Sequence, residues 1–130
     1  MTIKELSQYY YLTREIEDLK DRIREAETQA TNMSVKLDCA PKAGRSQNKI
    51  ALSVERIVLY KNQLQDRLER CQEELIKLNQ FISKCDDSVT RMILTCRFVH
   101  CMSWRQVAIK VGGRHTAESV RKICNRFIKK

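Results

Sequence analysis

The sequence has very few residues that interrupt a helix. Its 130 residues include one proline, Pro41, and three glycines, Gly44, Gly112 and Gly113. A β-sandwich or β-barrel needs a turn signal roughly every 8–12 residues, so this composition excludes those classes. An all-α fold is predicted, with breaks only near these four positions.

Long apolar runs are also absent. No stretch approaches the ~18 consecutive apolar residues that a membrane-spanning helix requires. The first twelve residues are interrupted by polar and charged side chains and lack the basic and apolar regions of a secretory signal. We therefore expect no membrane segment and a cytoplasmic location.

Patterns typical of metal sites are missing as well. The six cysteines include no C-x-x-C pair, and without a secretory signal reduced thiols are expected. Five residues that could bind a metal do share one segment, namely Cys96, His100, Cys101, His115 and Cys124. Because Cys96 and Cys124 fall on apolar helical faces, we interpret them as buried thiols in preference to zinc ligands.

No catalytic or cofactor-binding motif is present. Carboxylates in residues 1–85 have no His, Ser or Cys partner at a recognisable spacing. The Gly112-Gly113 pair lacks the surrounding residues of a phosphate-binding loop. We therefore predict a protein that is not an enzyme, with no catalytic residue, cofactor or metal.

Residues 1–85 contain two heptad patterns. The first helix opens with a Thr2/Glu5 capping box, and its apolar seam is Tyr9, Leu12, Ile16, Leu19, Ile23, Ala26, Ala30 and Met33. The second is predicted to begin near 46–48, with a seam of Ile50, Val54, Ile57, Lys61, Leu64, Leu68, Cys71, Leu75, Leu78, Ile82 and Cys85. With a loop at about 34–47, this predicts a long antiparallel coiled-coil hairpin. Lys61 either sets the register or extends outward to solvent.

The remaining residues, 86–130, are strongly basic. They carry ten Lys/Arg and three acids, 10 − 3 = +7 of the total +9, whereas residues 1–85 carry fifteen bases and thirteen acids. A local surplus of this size indicates a polyanionic partner.

This basic segment is predicted to form a three-helix domain. Asp86, Asp87 and Ser88 are N-cap candidates for a helix over 89–99 whose inward face is Val89, Met92, Ile93 and Cys96. Ser103 and Gln106 form a second capping box, followed by the buried stripe Trp104, Val107, Ala108 and Val111. Gly112 and Gly113 end that helix, and Thr116 caps a last helix over 117–129. Two short helices joined by a glycine turn are typical of a helix-turn-helix.

Helical geometry assigns candidate DNA contacts within this domain. Long side chains in the first turns of a helix in the major groove reach base edges, and this predicts base readout by Glu118, Arg121, Lys122 and Asn125. Residues in the turn, at helix starts and further along the helix are predicted to contact phosphate. They are Arg105, Arg114, His115, Thr116, Ser119, Arg126 and Lys129.

Two segments carry a family resemblance. MILTCRFVHCMSWRQVAIKV and TAESVRKICNRFIKK resemble region 4 of sigma-70-type factors and, more closely, phage-encoded regulators of the RinA and ArpU type. The shared features are Arg97-Phe98, Ser103-Trp104, Val107-Ala108 and the Thr116, Glu118, Val120, Arg121, Ile123 frame. In sigma factors the positions of Ala117, Glu118, Arg121 and Lys122 help to read a promoter element.

The resemblance implies a sequence-specific transcription regulator of the late genes of a phage or prophage, acting in a bacterial host cell. Double-stranded DNA is the expected partner, host RNA polymerase a candidate one, and a homodimer through the hairpin the expected assembly. Two alternatives stay open: a packaging protein like a terminase small subunit, and a coiled-coil adaptor that binds RNA polymerase or a sigma factor.

Overall fold

The computed structural model describes residues 1–37 and 43–129, with side chains for 1–32 and 49–129. Every regular element in those ranges is a helix, so the all-α prediction is confirmed there. The helices are α1 (Ile3–Leu6), α2 (Gln8–Leu37), α3 (Ala43–Ser83), α4 (Ser88–Leu94), α5 (Trp104–Val111) and α6 (Ala117–Lys129), and a π-helical turn, Thr95–Val99, continues α4. No described helix is long and apolar enough to cross a membrane.

The chain divides into two compact units. One, the composite unit, joins Met1–Thr13 to Arg70–Lys130, and the other, the central unit, is Arg14–Glu69. The sequence had placed a single boundary between residues 85 and 86. The division differs because Leu6, at 0% exposure, belongs to the same hydrophobic cluster as residues of α4, α5 and α6.

The central unit contains the facing parts of α2 and α3. Four predicted seam positions of α2 are buried here as expected, namely Ile16, Leu19, Ile23 and Ala26. Ala30 is half-buried, and the Met33 side chain lies outside the described residues. Arg67 Nε lies 3.1 Å from Glu15 Oε2, and Lys61 Nζ lies 3.4 Å from Glu27 Oε1. Because the later α2 residue pairs with the earlier α3 residue, the two helices run in opposite directions. Lys61 therefore extends to the surface and pairs there.

The start of α3 departs from the predicted seam. Val54 is 50% exposed, and the neighbouring Ser53 is buried in its place. Ser53 tolerates burial because its hydroxyl donates to the Lys49 carbonyl at 2.9 Å. A small side chain therefore occupies the inward position where the prediction placed valine.

The predicted loop at about 34–47 is wrong at both ends. Helix α2 continues to Leu37 and α3 already begins at Ala43, ahead of the predicted start at 46–48. Polar composition suggested a loop, but Arg, Lys and Gln have high helix propensity. The rest of that loop, residues 38–42 with Cys39 and Pro41, lies outside the described residues.

In the composite unit, hydroxyl and carboxylate caps set the helix ends. The Thr2/Glu5 capping box is confirmed, but the predicted first helix is divided at Ser7, whose hydroxyl donates to the Ile3 carbonyl at 2.8 Å. Asp87 caps α4 by accepting from Thr90 N at 3.1 Å. These contacts fix where α2 and α4 start.

The inward face of α4 was predicted only in part. Ile93 and Cys96 are buried as expected, whereas Val89 and Met92 are exposed. The other inward positions are Thr90 and Leu94. Thr90 is suited to this place because its hydroxyl donates to Asp87 Oδ2 at 2.6 Å, so burial leaves no polar group unpaired.

Candidate nucleic-acid interface

Two glycines turn the chain from α5 into α6. Gly112 has φ 76° and Gly113 has φ 67°, values in the left-handed region that side chains with a Cβ rarely adopt. Gly112 N donates to the Ala108 carbonyl at 3.1 Å, which closes α5. The predicted glycine end of this helix is therefore confirmed.

The start of α6 is held by three neighbouring side chains. Thr116 Oγ1 accepts a hydrogen bond from Ser119 N at 3.2 Å, as expected of the predicted N-cap. His115 Nδ1 lies 3.2 Å from Ser119 Oγ. Three of the predicted phosphate contacts thus lie together at one helix end.

One side of α6 is anchored in the hydrophobic cluster of the composite unit. Val120 is 0% exposed and Cys124 1%, and the Phe127 ring packs on Phe81 with centroids 5.5 Å apart. The opposite side consists of exposed charged residues: Glu118, Lys122, Arg126 and Lys129. The helix therefore presents a fixed, mostly basic face.

The four residues predicted to read bases lie on one side of α6 but differ in their surroundings. Glu118 Oε1 and Lys122 Nζ lie 3.5 Å apart on the outer face, with both side chains mainly exposed. Around the helix axis, Asn125 lies between this pair and Arg121, which is roughly 60–100° from the pair. Arg121 and Asn125 line a cleft of about 240 Å³ with Ile3 and Ser7 from the chain's first residues.

The predicted phosphate contacts differ in their surroundings. Arg105 at the start of α5 and Arg114 in the turn are exposed. Arg126 lines a different cleft, of about 420 Å³, together with Asp86 and Asp87. Arg126 therefore has carboxylates in the cleft that it lines.

Arg97 has a structural role that sequence reasoning missed. Its Nη1 donates to the Met102 carbonyl at 2.8 Å, and its guanidinium carbon lies 4.5 Å from the centroid of the Trp104 ring. A cation held over an aromatic face is favourable. Arg97 therefore ties the π-helical turn to the first residue of α5, while Trp104 also packs against the hydrophobic cluster, as predicted.

The N-terminal residues beside α6 were also missed. The sequence assigned residues 1–13 to the end of a coiled coil, yet Ile3 and Ser7 lie beside Arg121 and Asn125. One signal was present, because Leu6 stands three residues before Tyr9 and extends the apolar seam toward the chain's start. Helical periodicity does not predict which part of the chain covers an apolar residue such as Leu6.

The described cysteines are all free thiols. Cys96 and Cys124 are buried, as predicted, and burial raises the pKa of the Cys124 thiol to about 11. In the part of the chain that the structure describes, no group of three or more metal-ligand side chains comes together.

Comparison with protein-family models, with curated proteins and with solved structures finds no match to this chain.

Proposed function

We propose that this protein is a sequence-specific DNA-binding transcription regulator in which α5 and α6 form a helix-turn-helix. The exposed charged face of α6, fixed from behind by Val120 and Cys124, is the observation that carries the proposal. An α-helix fits the major groove of B-form DNA, and a rigid support lets its side chains reach base edges without a large ordering cost.

Glu118 and Lys122 are the proposed base-reading pair. Glutamate accepts a hydrogen bond from cytosine N4, and lysine donates to guanine O6 and N7. In the free protein the two side chains pair with each other at 3.5 Å. An exposed pair of this kind contributes roughly 0.2–1 kcal/mol at most, so the cost of exchanging it for base contacts is small.

The long helices are proposed to form an antiparallel coiled-coil hairpin that joins two copies of the chain. Large apolar side chains on α3 remain more than half exposed, namely Leu52, Val58 and Leu59. Leu52 and Leu59 are seven residues apart and share one face of α3, and exposed apolar side chains on a long helix favour self-association. A homodimer would place two α6 helices on one DNA molecule.

The resemblance to phage regulators supports a proposal about which genes the protein controls and in which cell. It favours control of late phage or prophage genes inside a bacterial host cell, with host RNA polymerase as a candidate partner. The resemblance of the α5–α6 segment to region 4 of sigma-70-type factors also supports a role in transcription.

Selection of bound fragments from random double-stranded DNA tests the proposal. The selected sites should share a motif, and Lys122→Ala should lower affinity for the best site about 5- to 100-fold while leaving non-specific binding nearly unchanged. Lys20→Ala, an exposed lysine of the central unit, is the matched control. Selection that yields no shared motif would contradict sequence-specific regulation.

Oligomeric state separates this proposal from DNA packaging, which the exposed α3 surface also favours. Light scattering should give a dimer for the regulator, whereas a closed ring of about eight or more subunits would favour a terminase small-subunit-like protein. A coiled-coil adaptor would instead bind DNA without sequence preference and lose that binding steeply with salt.

A further inference from the structure

The first seven residues are held firmly in the composite unit. The Leu6 side chain is fully buried in its hydrophobic cluster. Glu5 Oε2 accepts from Thr2 N at 2.7 Å, and Ser7 Oγ donates to the Ile3 carbonyl at 2.8 Å. The segment therefore has a defined position on the unit that carries α6.

This position forms one wall of a cleft beside α6. Ile3 and Ser7 line one part of the ~240 Å³ space, and Arg121 and Asn125 line another. Ile3 is 51% exposed although it borders this space, so the cleft is open to solvent.

The polar groups that face this cleft are available for a ligand. Among the described residues, neither the Arg121 guanidinium nor the Asn125 amide makes a hydrogen bond or ion pair. Both groups donate hydrogen bonds, and guanidinium geometry matches a phosphate group. Arg97, which also lines the cleft, is occupied by Met102 and Trp104.

The N-terminal segment supplies one cation for the same ligand. Lys4 is exposed and is the only basic side chain of residues 1–7. The single acid, Glu5, is directed to the Thr2 backbone by the capping box. That hydrogen bond lowers the pKa of the Glu5 carboxyl and keeps it ionised, so Lys4 is the only side-chain charge of the segment that attracts a phosphate.

We propose that residues 1–7 are a second DNA-contacting element and that the cleft binds a backbone phosphate. Arg121 and Asn125 donate to the phosphate, Lys4 adds a second ionic contact to the same strand, and Ile3 packs against the sugar edge. The inference rests on the proposed DNA-binding function. Two pairs of α6 side chains then have different roles. Glu118 and Lys122 read the base sequence, whereas Arg121 and Asn125 position the DNA strand.

The salt dependence of binding tests the role of Lys4. Loss of one phosphate contact changes the slope of log K against log salt by about 0.9. Lys4→Ala should therefore show a shallower slope than wild type, so that raising salt from about 50 to 200 mM costs it roughly threefold less affinity. Lys20→Ala removes the same charge from the central unit and should keep the wild-type slope.

A second pair of variants tests the cleft itself. Ile3→Glu places a negative charge at its edge and should weaken binding to every DNA sequence by at least tenfold, without changing the preferred motif. Ile76→Glu adds the same charge at an α3 position that is 58% exposed and should have little effect. The urea midpoints of both variants, followed through Trp104, should match that of wild type, because each altered side chain is at least half exposed.

Arg121→Ala completes the test. It should reduce the salt slope and preserve the selected motif, in contrast to Lys122→Ala. Wild-type salt slopes for both Lys4→Ala and Arg121→Ala, in a protein that does select a DNA motif, would overturn this inference alone. A wild-type protein that binds no DNA would overturn both this inference and the proposed function.

Discussion

Truncation of Leu6 is the most direct test of how the chain's first residues are packed. The side chain is 0% exposed and lies in a cluster with Ile93, Val107 and Val120. Leu6→Ala removes the equivalent of three buried carbon groups at about 0.8 kcal/mol each, and the cavity left behind adds to that loss. We expect the composite unit to lose about 3 kcal/mol of unfolding free energy, roughly a hundredfold in its equilibrium constant.

Urea denaturation followed by fluorescence provides the assay. Trp104 is the only tryptophan and packs against the same cluster as Leu6, so its emission reports on the composite unit. With a slope of ~1–3 kcal/mol per molar urea, the midpoint should fall by about 1–3 M. Ile109→Ala also removes three carbons, at an 81% exposed position of α5, and should shift the Trp104 midpoint little. Equal midpoints for the two variants would refute the packing of Leu6 in this core.

Two further predictions concern titratable groups in the composite unit. The hydrogen bond from the Thr90 hydroxyl holds the pKa of Asp87 below its ordinary value of 3.8, so the ionised carboxylate stabilises the fold above that value and the effect is lost as pH falls through the folded pKa. The melting-temperature difference between wild type and Asp87→Asn should therefore be constant near pH 6–8 and shrink below about pH 4; a difference independent of pH would contradict the assignment. Cys124, whose pKa burial raises to about 11, should be alkylated by iodoacetamide at least about a hundredfold more slowly in the native protein than in urea. Peptide mass spectrometry measures both rates, and equal rates would show that the thiol is not buried.

The π-helical turn decides which side chains after α4 face inward. His100 N donates to the Thr95 carbonyl at 3.0 Å, a five-residue spacing in place of the usual four. This extra residue helps to place Phe98 inward and to direct Arg97 toward Met102 and Trp104. An uninterrupted helical period could not have predicted that placement.

Sequence patterns were most informative where a local rule fixes local structure. The capping boxes at Thr2 and Ser103 both form, and so does the Thr116 cap at α6. Such caps depend on residues only three positions apart. Prediction failed at Val54, Val89 and Met92 because whether an apolar side chain is covered depends on a partner distant in sequence.

The candidate site also has a part that local sequence patterns predict and a part that depends on tertiary packing. Heptad spacing, the glycine pair and the charge surplus of residues 86–130 determined an all-helical chain with a basic, capped last helix. Only the tertiary structure brought Ile3 and Ser7 beside Arg121 and Asn125. The physical reason is that helical periodicity states which residues share a face, whereas the burial of Leu6 against α4, α5 and α6 chooses the surface on which residues 1–7 lie.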